Sequence, residues 1–510
     1  MRRDSRQDAG RTLLFCCVAV ASQATSAVGQ QVPSAEEFAR ELDAFIEEVM
    51  AFDLAPGLAV AVVRGDEKLF EAGYGYADVE SRRPVTPETV FYIASSTKSF
   101  TGMAAAILHG AGELDLDGSL ASMLPGVELG GDLDPSMISL RDLLTHTHGI
   151  ENTGPVSFRS AFSGVHTHDM LVDLLSAHGP AEDGRSFEYG NIGYNVASLA
   201  MDAHLGTSWK DVLAREIFGP LGMRATTAYV SRVPEERLAM PYGAEPEGFE
   251  RVPYHKGDGS MHAAGGLVTT VSDVALWLRA NLNEGRLGTE QLLDPRAVAT
   301  AHRSYVQQDA SYMSFNRTGY GLGWNTGSYD GDSFTHHFGG FSGFHTHISF
   351  MPERDIGVAV LVNTGSGSFV ADLISRYAYD VLRGVPDLEG RWSDELAAIP
   401  ARIEQMRSRI KADRDRRAAR PQTLPYPLTS YTGAFENDEL GRLELSLVNG
   451  ALEARMGRMW SEVEVYDNQQ NILRVELTGG GSVMPVEFDE GQVMAARVRW
   501  LGRVFERVER

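Results

Sequence analysis

Two apolar runs stand far apart in the chain, Gly57–Val63 (GLAVAVV) and Ile356–Asn363 (IGVAVLVN), and both read as β-strands. The first continues through the turn Arg64-Gly65-Asp66 into a second strand, Lys68–Tyr74 (KLFEAGY), and HISFM at 347–351 precedes the second run. Between them helical patterns fill much of 95–290, broken by Gly- and Pro-rich loops. Strands at both ends with helices between predict one sheet built from both ends and interrupted by a helical insertion. Phe38, Leu42, Phe45 and Val49 recur at helical spacing, which predicts an amphipathic helix over Ser34–Met50, and Phe369–Leu382 reads as a closing helix.

The pattern changes near residue 390. Leu396, Ile399, Ile403, Met406 and Ile410 step at helical intervals, with Lys and Arg concentrated between Arg402 and Arg420. That predicts a linker helix with one apolar and one basic, solvated face; contact with a membrane surface or a partner is the alternative. Pro421, Pro425 and Pro427 end it. From Tyr431 onward, short alternating runs such as LELSL (443–447), LEARM (452–456) and VEV (463–465) predict a small antiparallel β-domain.

Charge narrows the partners. With 46 Lys+Arg against 69 Asp+Glu the net charge is −23, which repels phosphate backbones and anionic lipid. Nucleic acid is therefore not an expected partner, and neutral or cationic small molecules fit better. At the N-terminus, Arg2, Arg3, Arg6 and Arg11 precede the short apolar run Leu13–Ala21 and then the small residues Ala24, Ser26, Ala27 and Gly29. This reads as a secretory signal peptide over 1–29 and an exported, periplasmic or secreted protein. Both cysteines, Cys16 and Cys17, fall inside it, so the mature chain would hold neither disulfide nor thiol. No segment is long and apolar enough to predict an integral membrane span.

The chemistry centres on Ser95-Ser96-Thr97-Lys98. In a helix beginning at Ser95, the i, i+3 spacing puts Ser95 and Lys98 on one face. A serine hydroxyl is a weak nucleophile until a base takes its proton, and an unprotonated lysine can be that base. A helix N-terminus also offers free N–H groups where an oxyanion would form. Alone, the four residues are better read as a helix cap and a surface lysine. Two further segments count against that: Tyr189-Gly190-Asn191, whose spacing on an extended loop points both side chains the same way, and His337-Phe338-Gly339 before a strand.

With these three motifs the chain resembles the serine β-lactamase-like and penicillin-binding-protein-like superfamily, especially class C β-lactamases, D-aminopeptidases and related esterases. LLTHTHGI (143–150), PLGM (220–223), AAGGLVTT (263–270) and YGLGW (320–324) match in the same order, and the resemblance spans about residues 35–385. It implies an α/β (α+β) fold: an antiparallel sheet flanked by helices, with a helical subdomain. The stretch from Tyr431 resembles the lipocalin-like domain behind some of these hydrolases, either a lid near the cleft or a stabilising appendage. The expected organisation is signal peptide 1–29, hydrolase domain 30–390, linker helix and Pro-rich linker 391–427, and β-domain 428–510. By position, the resemblance implies Ser95 as acylated nucleophile, Lys98 as its proton partner and Tyr189 as activator and leaving-group acid. It implies the N–H groups of Ser95 and Gly340 as oxyanion hole, and Asn191, His337 and Gly339 as substrate-binding residues. Glycines at 339 and 340 are expected to permit close backbone approach. Whether Lys98 or Tyr189 is the base is open at this level, since both must titrate well below their ordinary values to work freely at neutral pH.

The departures bear on substrate. Where β-lactamases and D,D-peptidases of the superfamily carry Lys-Thr-Gly or a close variant, this chain has His337-Phe338-Gly339. An ordinary histidine is mostly neutral at pH 7 and Phe338 has no hydroxyl, so this motif is expected to hold a carboxylate weakly and β-lactam turnover to be poor. His-Thr-His at 146–148, 166–168 and 345–347 has spacing that can ligate zinc, but no organised carboxylate or cysteine set accompanies it; no metal and no cofactor are expected. The expected activity is acyl-enzyme hydrolysis of short peptides, with or without D-residues, or of carboxylic esters. The alternatives are a β-lactamase or D-alanyl-D-alanine carboxypeptidase, a non-catalytic ligand-binding relative, and a metallohydrolase.

Overall fold

The computed structural model describes residues 33–254, 256–260 and 262–509. The segment read as a signal peptide, with Cys16 and Cys17, lies outside the described residues. Ser34 caps the first helix, α1 (Ala35–Ala51), through a reciprocal pair of bonds: its Oγ accepts from Glu37 N–H, and Glu37 Oε2 accepts from Ser34 N–H. Phe38, Leu42, Phe45, Ile46 and Val49 form the buried face.

The main sheet takes β1 (Gly57–Arg64), β2 (Glu67–Asp78) and β3 (Arg83–Pro84) from the N-terminal side. Later come β4 (Val306–Tyr312), β5 (Phe315–Tyr320), β6 (Asn325–Tyr329), β7 (Asp332–His336), β8 (Gly339–Phe341), β9 (Phe344–Met351) and β10 (Ile356–Val362). Their order is β4-β5-β6-β7-β9-β10-β1-β2-β3, with β8 paired to β9. β1 and β10 lie side by side and antiparallel, Val60 opposite Val360 and Ala61 opposite Ala359, so the two apolar runs meet in mid-sheet.

Their unbroken apolarity has a packing cause. Ala59, Ala61, Val63, Ala359 and Leu361 join one buried cluster, whereas Leu58, Val60, Val62, Val358 and Val360 join another. Both faces of these strands are covered, which removes the usual apolar–polar alternation. One face packs on α1, α5 (Ser368–Arg383) and the start of α6 (Leu388–Ala418). The other packs on the helical insertion, where α2 (Thr97–Ala111) and α4 (Val271–Leu282) meet in the Phe100–Trp277 stack, with ring centres 4.1 Å apart, and α3 (Ile192–Leu205) contributes to the same buried cluster. Strands β4 and β5 carry no apolar run (VQQDASY, FNRTGY), so the pattern does not mark them as strands; β4 is the largely exposed sheet edge, while β5, paired on both sides, buries Phe315 and Tyr320.

Helix α6 is longer than its apolar stripe and is not free. Trp392, Ile399 and Ile403 are buried against the α1–α5 side. Its basic residues reach acids on both sides of the molecule: Arg407 to Asp53 at 2.7 Å, Arg414 to Glu250 at 3.0 Å and Arg417 to Glu464 at 2.9 Å. Beyond it, nine antiparallel strands from Gly433–Asn437 to Arg503–Val508 form a second sheet. Its edge strands, Met459–Glu462 and Glu464–Asp467, are separated only by Val463, so the sheet must curl until its edges meet, as a near-barrel. No described helix is long and apolar enough to cross a membrane.

Candidate active site

The helix carrying the Ser-x-x-Lys motif starts later than the spacing implied. Ser95 lies in a 3-10 turn, Ala94–Ser96, and α2 begins at Thr97. Ala94 takes a left-handed φ of 44°, a conformation that costs free energy for a residue with a Cβ and persists only when surroundings hold it. Those surroundings are specific. Ser96 Oγ donates to His337 O at 2.8 Å and lies 2.9 Å from Thr346 Oγ1, which donates to Ile93 O at 3.0 Å. The serine turn is thereby fastened to the β7–β8 connection and to β9.

Lys98 is fully buried. Its Nζ donates to Ser95 Oγ at 3.2 Å, Asn191 Oδ1 at 2.9 Å and Ala264 O at 2.8 Å, which uses all three ammonium donors on neutral acceptors. With no carboxylate to balance the charge, burial drives its pKa well down, and repulsion from Lys256 adds to this. Asn191 sits at the N-cap of α3 without capping it, because its side chain is turned to the lysine. The Tyr189 ring packs 5.1 Å from Lys98 Nζ, and the Tyr194 ring 5.5 Å. Although Tyr189 is 45% exposed, desolvation around its phenol pushes its pKa up to about 12, against the lowering effect of a hydrogen bond with Ser95.

The third motif divides in function. A Cβ on Gly339 would stand 2.1 Å from Ile93 O and 2.5 Å from Thr346 Oγ1, so only glycine lets β8 approach the serine turn. Gly340 differs from expectation: its Cβ would meet only His345 Nδ1, at 3.8 Å, so packing does not require glycine there. Phe341 pairs with Phe344 and Gly339 with Thr346 around the two-residue turn Ser342-Gly343. In such a hairpin the residues between hydrogen-bonded pairs point outward, which leaves Gly340 N–H off the ladder beside Ser95.

His337 is buried behind Tyr189 and does not line the Ser95 pocket. Its Nδ1 lies 2.9 Å from Phe338 O and its Nε2 3.3 Å from Tyr320 Oη; Tyr320 Oη also meets His146 Nε2 at 3.1 Å. Gly190 N–H donates to His146 Nδ1 at 3.4 Å. One set of neutral tautomers satisfies the chain: His146 Nε2–H donates to Tyr320, Tyr320 to His337 Nε2, and His337 Nδ1–H to Phe338 O. Burial lowers the pKa of both histidines well below 6.5, consistent with that neutral chain.

The pocket at Ser95 is a cavity of about 50 Å³ walled by Asn191, Asn195, Ala264, Gly340, Phe341 and Lys256. Asn195 gives Nδ2–H to Ser160 Oγ at 2.9 Å, and its Oδ1 is buried with no hydrogen-bond partner among the described residues. Sequence reasoning missed Tyr320, His146, Asn195 and Lys256. A signal for Lys256 was present, since the chain has only five lysines among its 46 basic residues. The segment AAGGLVTT supplies carbonyls to both pocket lysines: Ala264 O to Lys98, and Gly265 O to Lys256 at 2.7 Å.

A mixed sheet-and-helix fold with a serine and a charge-starved lysine at the head of a buried helix defines a class, and the comparisons identify it. The sequence profile of the Beta-lactamase family matches residues 42–382, and the chain belongs to that family. The unguisins hydrolase ungD' of Aspergillus campestris is 27% identical over 410 residues, 74% of this chain and 72% of that protein. Protein flp of Staphylococcus aureus is 25% identical over 342 residues, 64% of this chain, which spans 63% of flp's length. Among solved structures, the octameric penicillin-binding protein homologue from Pyrococcus abyssi aligns over 92% of this chain and 99% of its own, with a TM-score of 0.58 at 22% identity. The D-amino acid amidase from Ochrobactrum anthropi SV3 aligns over 68% and 98%, with a TM-score of 0.56 at 25% identity.

Proposed function

We propose that the protein is an exported serine hydrolase that cleaves carboxylic esters or the amide bonds of short peptides through an acyl-enzyme on Ser95. The observation that carries this is the Lys98 amine, buried without a carboxylate and 3.2 Å from Ser95 Oγ. Its lowered pKa and the raised one of Tyr189 support Lys98 as the base and Tyr189 as a phenol able to give up a proton.

Neutral Lys98 takes the Ser95 proton as Oγ bonds to the substrate carbonyl carbon. The carbonyl oxygen becomes an oxyanion, which the N–H groups of Ser95 and Gly340 receive; one such donor is worth about 3–4 kcal/mol. The bond to the leaving alcohol or amine breaks as Tyr189 protonates it, leaving a phenolate beside the Lys98 ammonium. Water then gives its proton to that phenolate and attacks the acyl carbon. Lys98 returns its proton to Ser95 Oγ, and the free acid leaves.

The test is turnover of a short-chain aryl ester, a D-alanyl peptide amide and a chromogenic cephalosporin by wild type and Ser95→Ala. Ester or amide turnover should fall by about six orders of magnitude in the variant, with little cephalosporin turnover in either. Activity retained in pure Ser95→Ala refutes the assignment, and fast cephalosporin turnover replaces it with a β-lactamase.

A further inference from the structure

Lys256 enters the Ser95 pocket from the loop after Tyr254, far in sequence from all three motifs. It is 6% exposed, donates to Gly265 O at 2.7 Å and lies 4.2 Å from the centre of the Phe341 ring. Among the described residues it forms no ion pair. Gly265 separates it from the nucleophile: a Cβ there would stand 3.5 Å from Lys256 Nζ and 3.4 Å from the Ala94 carbonyl carbon. An ammonium has three donors, and a buried charge without a counter-ion is costly. One carbonyl and one ring face leave this one with unused capacity beside the cavity.

The position indicates which part of a substrate would meet it. The cavity is lined by Asn191 and Gly340 but not by Tyr189, the proposed leaving-group acid, so Lys256 stands on the acyl side of Ser95. At about 50 Å³ the cavity suits a small group such as a carboxylate, not a large side chain. The chain's net charge of −23 opposes anions at long range, but salt screens charges beyond about 8 Å, and no acidic residue is among those lining the pocket. We infer that Lys256 binds a carboxylate on the acyl portion of the substrate, so that the preferred substrates are short acyl esters or amides ending in a carboxylate; this rests on the Ser95 acyl-enzyme reading. The charge absent from the third motif thus enters from another loop. Burial lowers the Lys256 pKa to about 7, and a bound carboxylate would draw it back toward the charged form.

The loop is held from both sides. Tyr92 Oη donates to Lys256 O at 2.5 Å, and the Arg458 guanidinium of the near-barrel lies over Gly257, where a Cβ would be 2.3 Å from it.

The test pairs phenyl hydrogen glutarate with its neutral isostere phenyl 4-carbamoylbutanoate, corrected for enzyme-free hydrolysis. Calorimetric binding to full-length Ser95→Ala should favour the glutarate ester by about thirtyfold, the scale of one buried charge pair. Adding Lys256→Met to Ser95→Ala should level the two, and Lys256→Arg should keep part of the preference. In turnover, Lys256→Met should lower the kcat/KM ratio of glutarate to carbamoyl ester by about the same factor, chiefly through KM. Equal binding of the two esters to Ser95→Ala, or an equal loss on both in Lys256→Met, overturns the proposal. Hydrolysis surviving in Ser95→Ala would instead refute the serine reading, while the binding comparison still judges Lys256.

Discussion

Lys98 and Lys256 are two of only five lysines, in a chain that otherwise uses arginine for its positive charge. Arginine keeps its proton when buried, whereas lysine releases it, so a pocket that needs a neutral amine needs lysine. The two amines oppose each other's charge, and that has measurable consequences. The groups facing Lys98 are Ser95, Asn191, the Tyr189 and Tyr194 rings, neutral His146 and His337, and Lys256. Catalysis requires Lys98 neutral, so activity should fall as pH drops through its lowered pKa. Lys256→Met removes a repulsion that keeps that pKa low and should move the acidic limb of kcat to higher pH; an unmoved limb would count against the coupling. Stability follows the same sign. With a folded pKa of about 7, Lys256 binds fewer protons folded than unfolded up to its ordinary value of 10.5, so wild-type stability should rise with pH across that window. Lys256→Met should lose the Lys256 share of that rise, Lys98 keeping its own, and be more stable at neutral pH, read from denaturant unfolding.

At the scale of elements, β8 shows what was legible in the sequence. The two apolar runs, α1 and α5 were readable because burial writes period and composition into them. The Ser95, Lys98, Tyr189 and Asn191 set is legible only through the resemblance that three ordered motifs carry, because spacing alone does not separate it from a helix cap and a surface lysine, and Ser95 lies in a 3-10 turn ahead of the helix. Strands β4 and β5 were not readable, because they carry mostly polar residues without an apolar run, and sheet pairing makes them strands. The two glycines of β8 look alike in sequence and differ in surroundings. Gly339→Ala must push β8 away from Ile93 and should cost about 1–3 kcal/mol together with most of the activity. Gly340→Ala should keep stability within about 0.5 kcal/mol, since its Cβ would make only an ordinary contact with His345 Nδ1 at 3.8 Å. Matched unfolding curves and kcat values for the two variants distinguish them; equal destabilisation would mean that β8 does not rest on the serine turn.

Across the whole molecule, the near-barrel forms part of the pocket's support. Its buried cluster includes Phe158 and Tyr254 from the larger unit, with Phe162 and Phe341 packed against it, and Phe341 is the ring beneath Lys256. Trp500 lies edge-on to Phe158, with ring centres 5.7 Å apart, and Gly457 and Gly479 approach Ser163 O and Ser342 Oγ so closely that a Cβ at either would clash. The C-terminal strands therefore bear on the Lys256 loop and on the β8–β9 turn together, an arrangement that a passive appendage does not require. Trp500→Ala tests this without touching the pocket. Loss of a buried tryptophan should weaken the near-barrel by about 3–5 kcal/mol. If the near-barrel holds the loop, hydrogen exchange at 256–260 should quicken, and kcat/KM for the carboxylate-bearing ester should fall further than for its neutral isostere. Unchanged exchange in that loop, with wild-type turnover per folded molecule, would reduce the near-barrel to a stabilising attachment.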